Sequence, residues 1–158
     1  PSIHLVVVNT PNDTHYEYTK LALLAGKHVV TEKAFTVTVK EAEELIEISI
    51  QKGLVLMVDH TFLFTGAVQK MKSLINSGEI GKIKYLDSTR INLGLFQSDV
   101  NVLWDLAPHD ISICDFLMPE KPWTASSNVQ DLPAQGSEID RISESTKTYT
   151  KWFNFDWV

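Results

Sequence analysis

The 158-residue chain is short of several things, and each shortage excludes a class of function. It has a single cysteine, Cys114, so no disulfide can form within it. The lone thiol fits a reducing compartment, and the cytoplasm is the expected location. Its neighbours Ile111, Ile113 and Leu117 are apolar, so Cys114 reads as a small buried hydrophobe. No apolar run approaches the roughly 20 residues a membrane helix needs, and no stretch has the layout of a secretory signal. Basic clusters are lacking too. The net charge is −6 and the pI about 5.3, which argues against nucleic acid as a partner. The five histidines are scattered without the paired spacing of a zinc site, so no metal is expected.

What is present has a clear order. Residues 3–8 are almost all apolar, with three consecutive valines, and read as a parallel strand buried on both faces. The cluster Asn9-Thr10-Pro11-Asn12-Asp13 then turns the chain. A helix capped by Asp13 or Thr14 runs to Ala25 and stops at Gly26. Residues 28–31 form a second strand, 40–52 a second helix ended by Gly53, and 54–59 a third strand. This alternation predicts two right-handed crossovers of a doubly wound sheet.

Beyond residue 60 the pattern changes. Residues 67–77 form an amphipathic helix, with Val68, Met71, Leu74 and Ile75 on one stripe. An alternating strand follows over 83–93, with Lys84, Ser88, Arg90 and Asn92 on one face. That alternation suits an antiparallel sheet with one face on helices and the other open to a ligand or partner. Residues 130–145 are polar and read as a loop; 147–158 form an aromatic strand with no evident partner. The fold class is therefore α/β: the second part of a Rossmann-like parallel sheet (1–60), then an α+β domain with an open, mostly antiparallel sheet (61–158). Both ends look cut, so a fragment of a larger two-domain protein, or a chain completed by another, is expected.

The segment Trp104-Asp-Leu-Ala-Pro-His-Asp-Ile-Ser112 carries candidate chemistry. Asp105 and His109 are four residues apart, one turn apart on one face of a helix starting near Trp104. Pro108 lacks an N–H, so that helix should start close by or be kinked. A carboxylate that accepts one ring N–H fixes the histidine tautomer and leaves the other nitrogen for proton transfer. Asp105 could equally serve the helix dipole.

The motifs Thr10-Pro11-Asn12-x-x-His15, Ala25-Gly26-Lys27-His28-Val29, Glu32-Lys33, Gly78-Glu79-Ile80-Gly81 and Asp105-x-x-x-His109 fall in the order of one group. The chain resembles the glucose–fructose oxidoreductase, inositol dehydrogenase and rhizopine catabolism (Gfo/Idh/MocA) family over residues 1 to about 125. The segments 92–96 and 102–105 look most like members acting on sugar nucleotides in polysaccharide synthesis. The resemblance implies an NAD- or NADP-dependent oxidoreductase that removes hydride from a sugar or sugar-nucleotide carbinol. It implies that Thr10, Pro11, Asn12 and His15 line the nicotinamide side of the cofactor. Glu32 would hold ribose hydroxyls, and Lys33 would stand between cofactor and substrate. Lys33, Asp105 and His109 become the catalytic set. Arg90, Asn92 and His60 are the candidate substrate contacts.

Each assignment has a plainer rival. Lys33 could be a solvated loop lysine, His15 a helix-start residue, and Arg90 and Asn92 part of a subunit contact. A non-catalytic assembly module, forming a homo-oligomer through the open sheet, is the alternative to an enzyme. The family's Glu-Lys-Pro reads Glu32-Lys33-Ala34 here. A cis bond before a residue other than proline costs about 2.5–4 kcal/mol, so Lys33-Ala34 is expected to be trans. No Gly-x-Gly-x-x-Gly occurs in the sequence, and that turn is what cradles a dinucleotide's pyrophosphate. The 158-residue chain by itself should therefore bind NADH weakly or not at all. Saturable micromolar binding in a fluorescence titration would overturn this expectation.

Overall fold

The computed structural model describes residues 2–84, 86–95, 102–118, 125–132 and 148–157, and of these the side chains are described outside 90–95, 102, 125–132 and 148–157. The chain divides into two compact units, Pro1–His60 and Thr61–Val158.

The first unit is a parallel sheet of β1 (Leu5–Val8), β2 (His28–Glu32) and β3 (Leu56–Asp59), in the order β1-β2-β3. The crossovers are α1 (His15–Leu24) and α2 (Val39–Lys52). Both connections step in the same direction across the sheet, so both helices lie on one face. The sheet in this chain is thus wound one way, not doubly. Side-chain bonds tie the two helices: Tyr16 OH donates to Glu44 Oε2 (2.6 Å), and Lys20 Nζ pairs with Glu44 Oε1.

Strand alternation then sorts the valines. Val8, Val29, Ala22, Leu23 and Leu45 form the core, with Val6, Ile48 and Leu56 packed around them. Val7, Val30 and Met57 share a register on the opposite face, where Val7 is 65% exposed and Met57 38%. The apolar run predicted the strand correctly, and within these residues α1 and α2 cover the face that carries Val6 and Val8.

Local signals explain the helix ends. Thr38 accepts from Glu41 N (3.3 Å) while Glu41 Oε2 accepts from Thr38 N (3.0 Å), a reciprocal cap for α2. Gly53, at φ +63°, closes it in the left-handed conformation. The start of α1 differs from expectation. A 3₁₀ turn, Asn12–Thr14, precedes it, and neither Asp13 nor Thr14 caps it with a side-chain bond. Thr14 is in the right-handed helical region, and its hydroxyl turns back to Pro11 O (2.7 Å).

The second unit opens with a 3₁₀ turn, Thr61–Phe64, and α3 (Gly66–Asn76). Then come β4 (Leu86–Leu95), α4 (Val102–Leu117), β5 (Ala125–Leu132) and β6 (Thr148–Trp157). The antiparallel sheet has the order β4-β6-β5, so the aromatic last strand is its centre, paired on both edges. One of its partners, β4, lies far back in sequence, which a local reading does not see. Residues 130–132, expected in a loop, belong to β5; residues 133–145 of that loop lie outside the described residues.

Helix α4 begins at Val102 and contains Pro108 in its interior. Leu106, Ala107 and Cys114 are buried, with Leu86, Leu103 and Met118 against them. Burial, with Asp110 nearby, pushes the Cys114 thiol up to about 11, as expected of a thiol used for packing. Ser88 donates to Asp110 Oδ1 at 2.7 Å. Ser88 lies on the strand face expected to be open to a ligand; at the described residues Leu86 and Ser88 instead meet α4, while Asp87 and Thr89 are exposed.

Leu45, 0% exposed, joins α2 to the sheet. Leu45→Ala should lower the free energy of unfolding by about 2–5 kcal/mol. Urea titration measures it, and a loss under about 1 kcal/mol would mean that this layer is not the core.

Candidate active site

Parallel strands bring their carboxyl ends to the same edge, and open α/β sheets bind ligands there. In the first unit that edge gathers Thr10, Pro11 and Asn12 beyond β1, then Glu32, Lys33 and Ala34 at the end of β2. Asp59 and His60 close β3, and Glu32 stands opposite Asp59 in the ladder. Thr10 and Pro11 are exposed; Asn12, Glu32 and Lys33 are half-buried.

Three hydrogen bonds join the loop after β1 to the turn after β2. Ala34 N donates to Asn12 Oδ1 at 3.0 Å. His15 Nδ1 lies 2.7 Å from Ala34 O, and His15 Nε2 lies 2.8 Å from Thr10 O. His15 is the first residue of α1 and only 1% exposed. Both of its ring nitrogens are thus directed at backbone carbonyls, one in each of the two loops.

The Lys33-Ala34 peptide is cis, contrary to the expectation of a trans bond. That expectation weighed only the intrinsic preference of an isolated peptide. In the folded chain both polar groups of Ala34 are bonded, to Asn12 and to His15, and these bonds define the turn. Nothing in the side chain of Ala34 signals this.

In the second unit Asp105 and His109 are one turn apart on α4, both half-buried, with Asp105 in the first turn. The His109 ring stands edge-on to Phe62, with centroids 4.7 Å apart and planes at 71°. Arg90 and Asn92 lie on β4 opposite Phe153 and Lys151 of β6; their side chains lie outside the described residues. Among the described residues no three His, Cys, Asp or Glu side chains cluster as metal ligands would. The structure thus gathers Thr10, Pro11, Asn12, His15, Glu32 and Lys33 in one unit, with His60 at the end of the neighbouring strand. Asp105 and His109 belong to the other unit.

Known proteins resemble this chain in sequence and fold. Residues 1–60 match the GFO_IDH_MocA family, described as an oxidoreductase family with an NAD-binding Rossmann fold. The oxidoreductase YdgJ of Escherichia coli (strain K12) is 38% identical over 133 residues, covering 75% of this chain and 38% of that protein. The scyllo-inositol 2-dehydrogenase (NADP(+)) IolW of Bacillus subtilis (strain 168) is 35% identical over 139 residues, covering 88% and 33%. An inositol dehydrogenase homologue from Azotobacter vinelandii was crystallised with NADH and myo-inositol. It superposes with a TM-score of 0.71 at 29% identity, covering 81% of this chain and 36% of that one. The chain spans well under half the length of each of these relatives.

His60 is the titrating group at this edge with a displaced equilibrium. Its ring is half-buried, and its Nδ1 has no hydrogen-bond partner among the described residues. Desolvation lowers its pKa below the ordinary 6.5, outweighing the opposing charge of Asp59. The folded chain therefore favours the neutral ring. Its contribution to stability is present above 6.5, the unfolded value, and is lost as the pH falls below it. His60→Gln should flatten this part of the pH dependence. Urea unfolding of both forms above and well below pH 6.5 checks it; an unchanged slope in the variant would refute it.

Proposed function

The chain belongs to the Gfo/Idh/MocA family of NAD-binding oxidoreductases, and from that membership we propose a catalytic part of a polyol or sugar dehydrogenase. Its substrate would be a cyclitol, sugar or sugar nucleotide, oxidised at a hydroxyl-bearing carbon. One observation carries the reading: Thr10, Asn12, Glu32 and Lys33 meet at the carboxyl edge of the parallel sheet, in loops bonded to each other. Two relatives named for inositol chemistry support the polyol class.

The donor set fits the nicotinamide end of a dinucleotide. Glu32 offers a carboxylate for ribose hydroxyls, and the exposed Thr10 and Pro11 border the same edge. The pyrophosphate end would need a glycine-rich turn, which these 158 residues do not contain. When bound, the nicotinamide ring supplies the hydride acceptor.

The residues handle the rest of the balance. Oxidation of a carbinol removes hydride from carbon and a proton from oxygen, so a base must take the proton. His109 accepts it at a ring nitrogen, with Asp105, one turn away, orienting the ring. Phe62 restricts the same ring by edge-on packing. The Lys33 ammonium stabilises the alkoxide character that develops on the substrate oxygen. The joint role of Lys33 and His109 rests on the order of the Glu-Lys and Asp-x-x-x-His motifs in the chain.

The test is a spectrophotometric assay of the product of the complete open reading frame. Inositols, sugars and sugar nucleotides are offered with NAD or NADP. Lys33→Met and His109→Ala should each lower turnover about 100-fold or more with melting temperatures nearly unchanged. Wild-type turnover in both variants would refute the assignment, and variants that change only oligomer size would favour an assembly module.

A further inference from the structure

We infer that His15 is the positioning residue that sets Lys33 in place, as a two-sided clamp with hydrogen on both ring nitrogens. The inference rests on the proposed role of Lys33 for its functional half and on geometry alone for the clamp.

A neutral imidazole has one donor nitrogen and one acceptor nitrogen. Here the two nitrogens face Ala34 O at 2.7 Å and Thr10 O at 2.8 Å, and a carbonyl oxygen can only accept. A neutral ring would leave one nitrogen lone pair against an oxygen lone pair at contact distance, buried from water. With hydrogen on both nitrogens, the ring makes two bonds of the length usual for a charged donor. The ring is 1% exposed, so water is not an alternative partner for its nitrogens.

The clamp acts where it matters. Lys33 lies between Glu32, held in the ladder opposite Asp59, and Ala34, whose N–H and C=O are both bonded. Its backbone is thus fixed on both sides, once by the sheet and once through His15 and Asn12. Loss of the ring releases the Ala34 carbonyl and the Thr10 carbonyl together. The turn bearing Lys33 and the loop bearing Thr10 then keep the Asn12–Ala34 bond but lose the two that the ring supplied, and a misplacement of about 1 Å can cost a reaction 100-fold.

Two measurements on the full-length protein test this. With ¹⁵N-labelled histidine, both ring nitrogens of His15 should resonate as N–H-bearing nitrogens with slowly exchanging protons. A ring with one unprotonated nitrogen would overturn the clamp, even if no variant folds. The second is a double-mutant cycle on turnover with His15→Asn, whose amide can serve only one of the carbonyls, and Lys33→Met. His15→Asn should lower kcat about 10- to 100-fold but add almost nothing in the Lys33→Met background, because it acts through Lys33. Additive losses, or an unaffected His15→Asn enzyme beside a crippled Lys33→Met enzyme, would overturn the positioning role. An unaffected Lys33→Met enzyme would instead remove the proposed role of Lys33, and the functional half of the inference with it; the ring spectrum still decides the clamp.

Discussion

Ala34 contributes one methyl group and two backbone atoms, and the geometry of the first unit's site depends on those two atoms. Its N–H goes to Asn12 and its carbonyl to His15, while the other side of the His15 ring holds Thr10. Parallel strands bring their ends to one edge but leave the loops beyond those ends unspecified. Loop backbone buried at such an edge must still find partners. Here one loop answers the other, so polar satisfaction and site assembly are the same set of bonds.

The sheet supplies what those bonds cannot. Three parallel strands in sequential order put both helices on one face, and Leu23, Val29 and Leu45 are fully buried there. A firm layer below the edge keeps the strand ends at fixed spacing, with Glu32 opposite Asp59. The other face keeps apolar side chains in the open, Leu5, Val7, Val55 and Met57 among them. The same valine run thus serves the core with Val6 and Val8 and leaves Val7 exposed, a consequence of two-residue periodicity.

Periodic signals made the elements legible in sequence. The strand–helix alternation of the first 60 residues, the glycine stops at Gly26 and Gly53, and the amphipathic α3 all match the structure within a few residues. Long-range facts were not legible. The central place of β6 depends on pairing with β4 more than fifty residues upstream, and Val7 looks like its neighbours until the helices take sides. The site divides the same way. Thr10, Asn12, Glu32 and Lys33 could be named from motif order, but the clamp through Ala34 could not, because it consists of backbone atoms. The expected trans bond at Lys33-Ala34 failed for the same reason: a local preference was weighed without the tertiary bonds that surround it.

Helix α4 shows how one element can carry packing and chemistry together. Successive residues turn by about 100° around a helix axis. On that count Leu103, Leu106, Asp110, Cys114 and Leu117 share one stripe, and Leu106, Asp110, Cys114 and Leu117 are the buried ones among them. Asp110 can occupy that stripe because Ser88 donates to its carboxylate; a buried acid without a donor would be costly. Asp105 and His109 fall on a different stripe, away from the buried side, and both remain half-buried. The helix does not need them for its core. Asp105 also stands in the first turn, where a carboxylate is favoured by the helix dipole, and that placement does not compete with the other role. The packing residues and the Asp105–His109 pair, proposed above to handle the proton, are thus separated by rotation along one helix, and changes at His109 should leave the contact between Ser88 and Asp110 undisturbed.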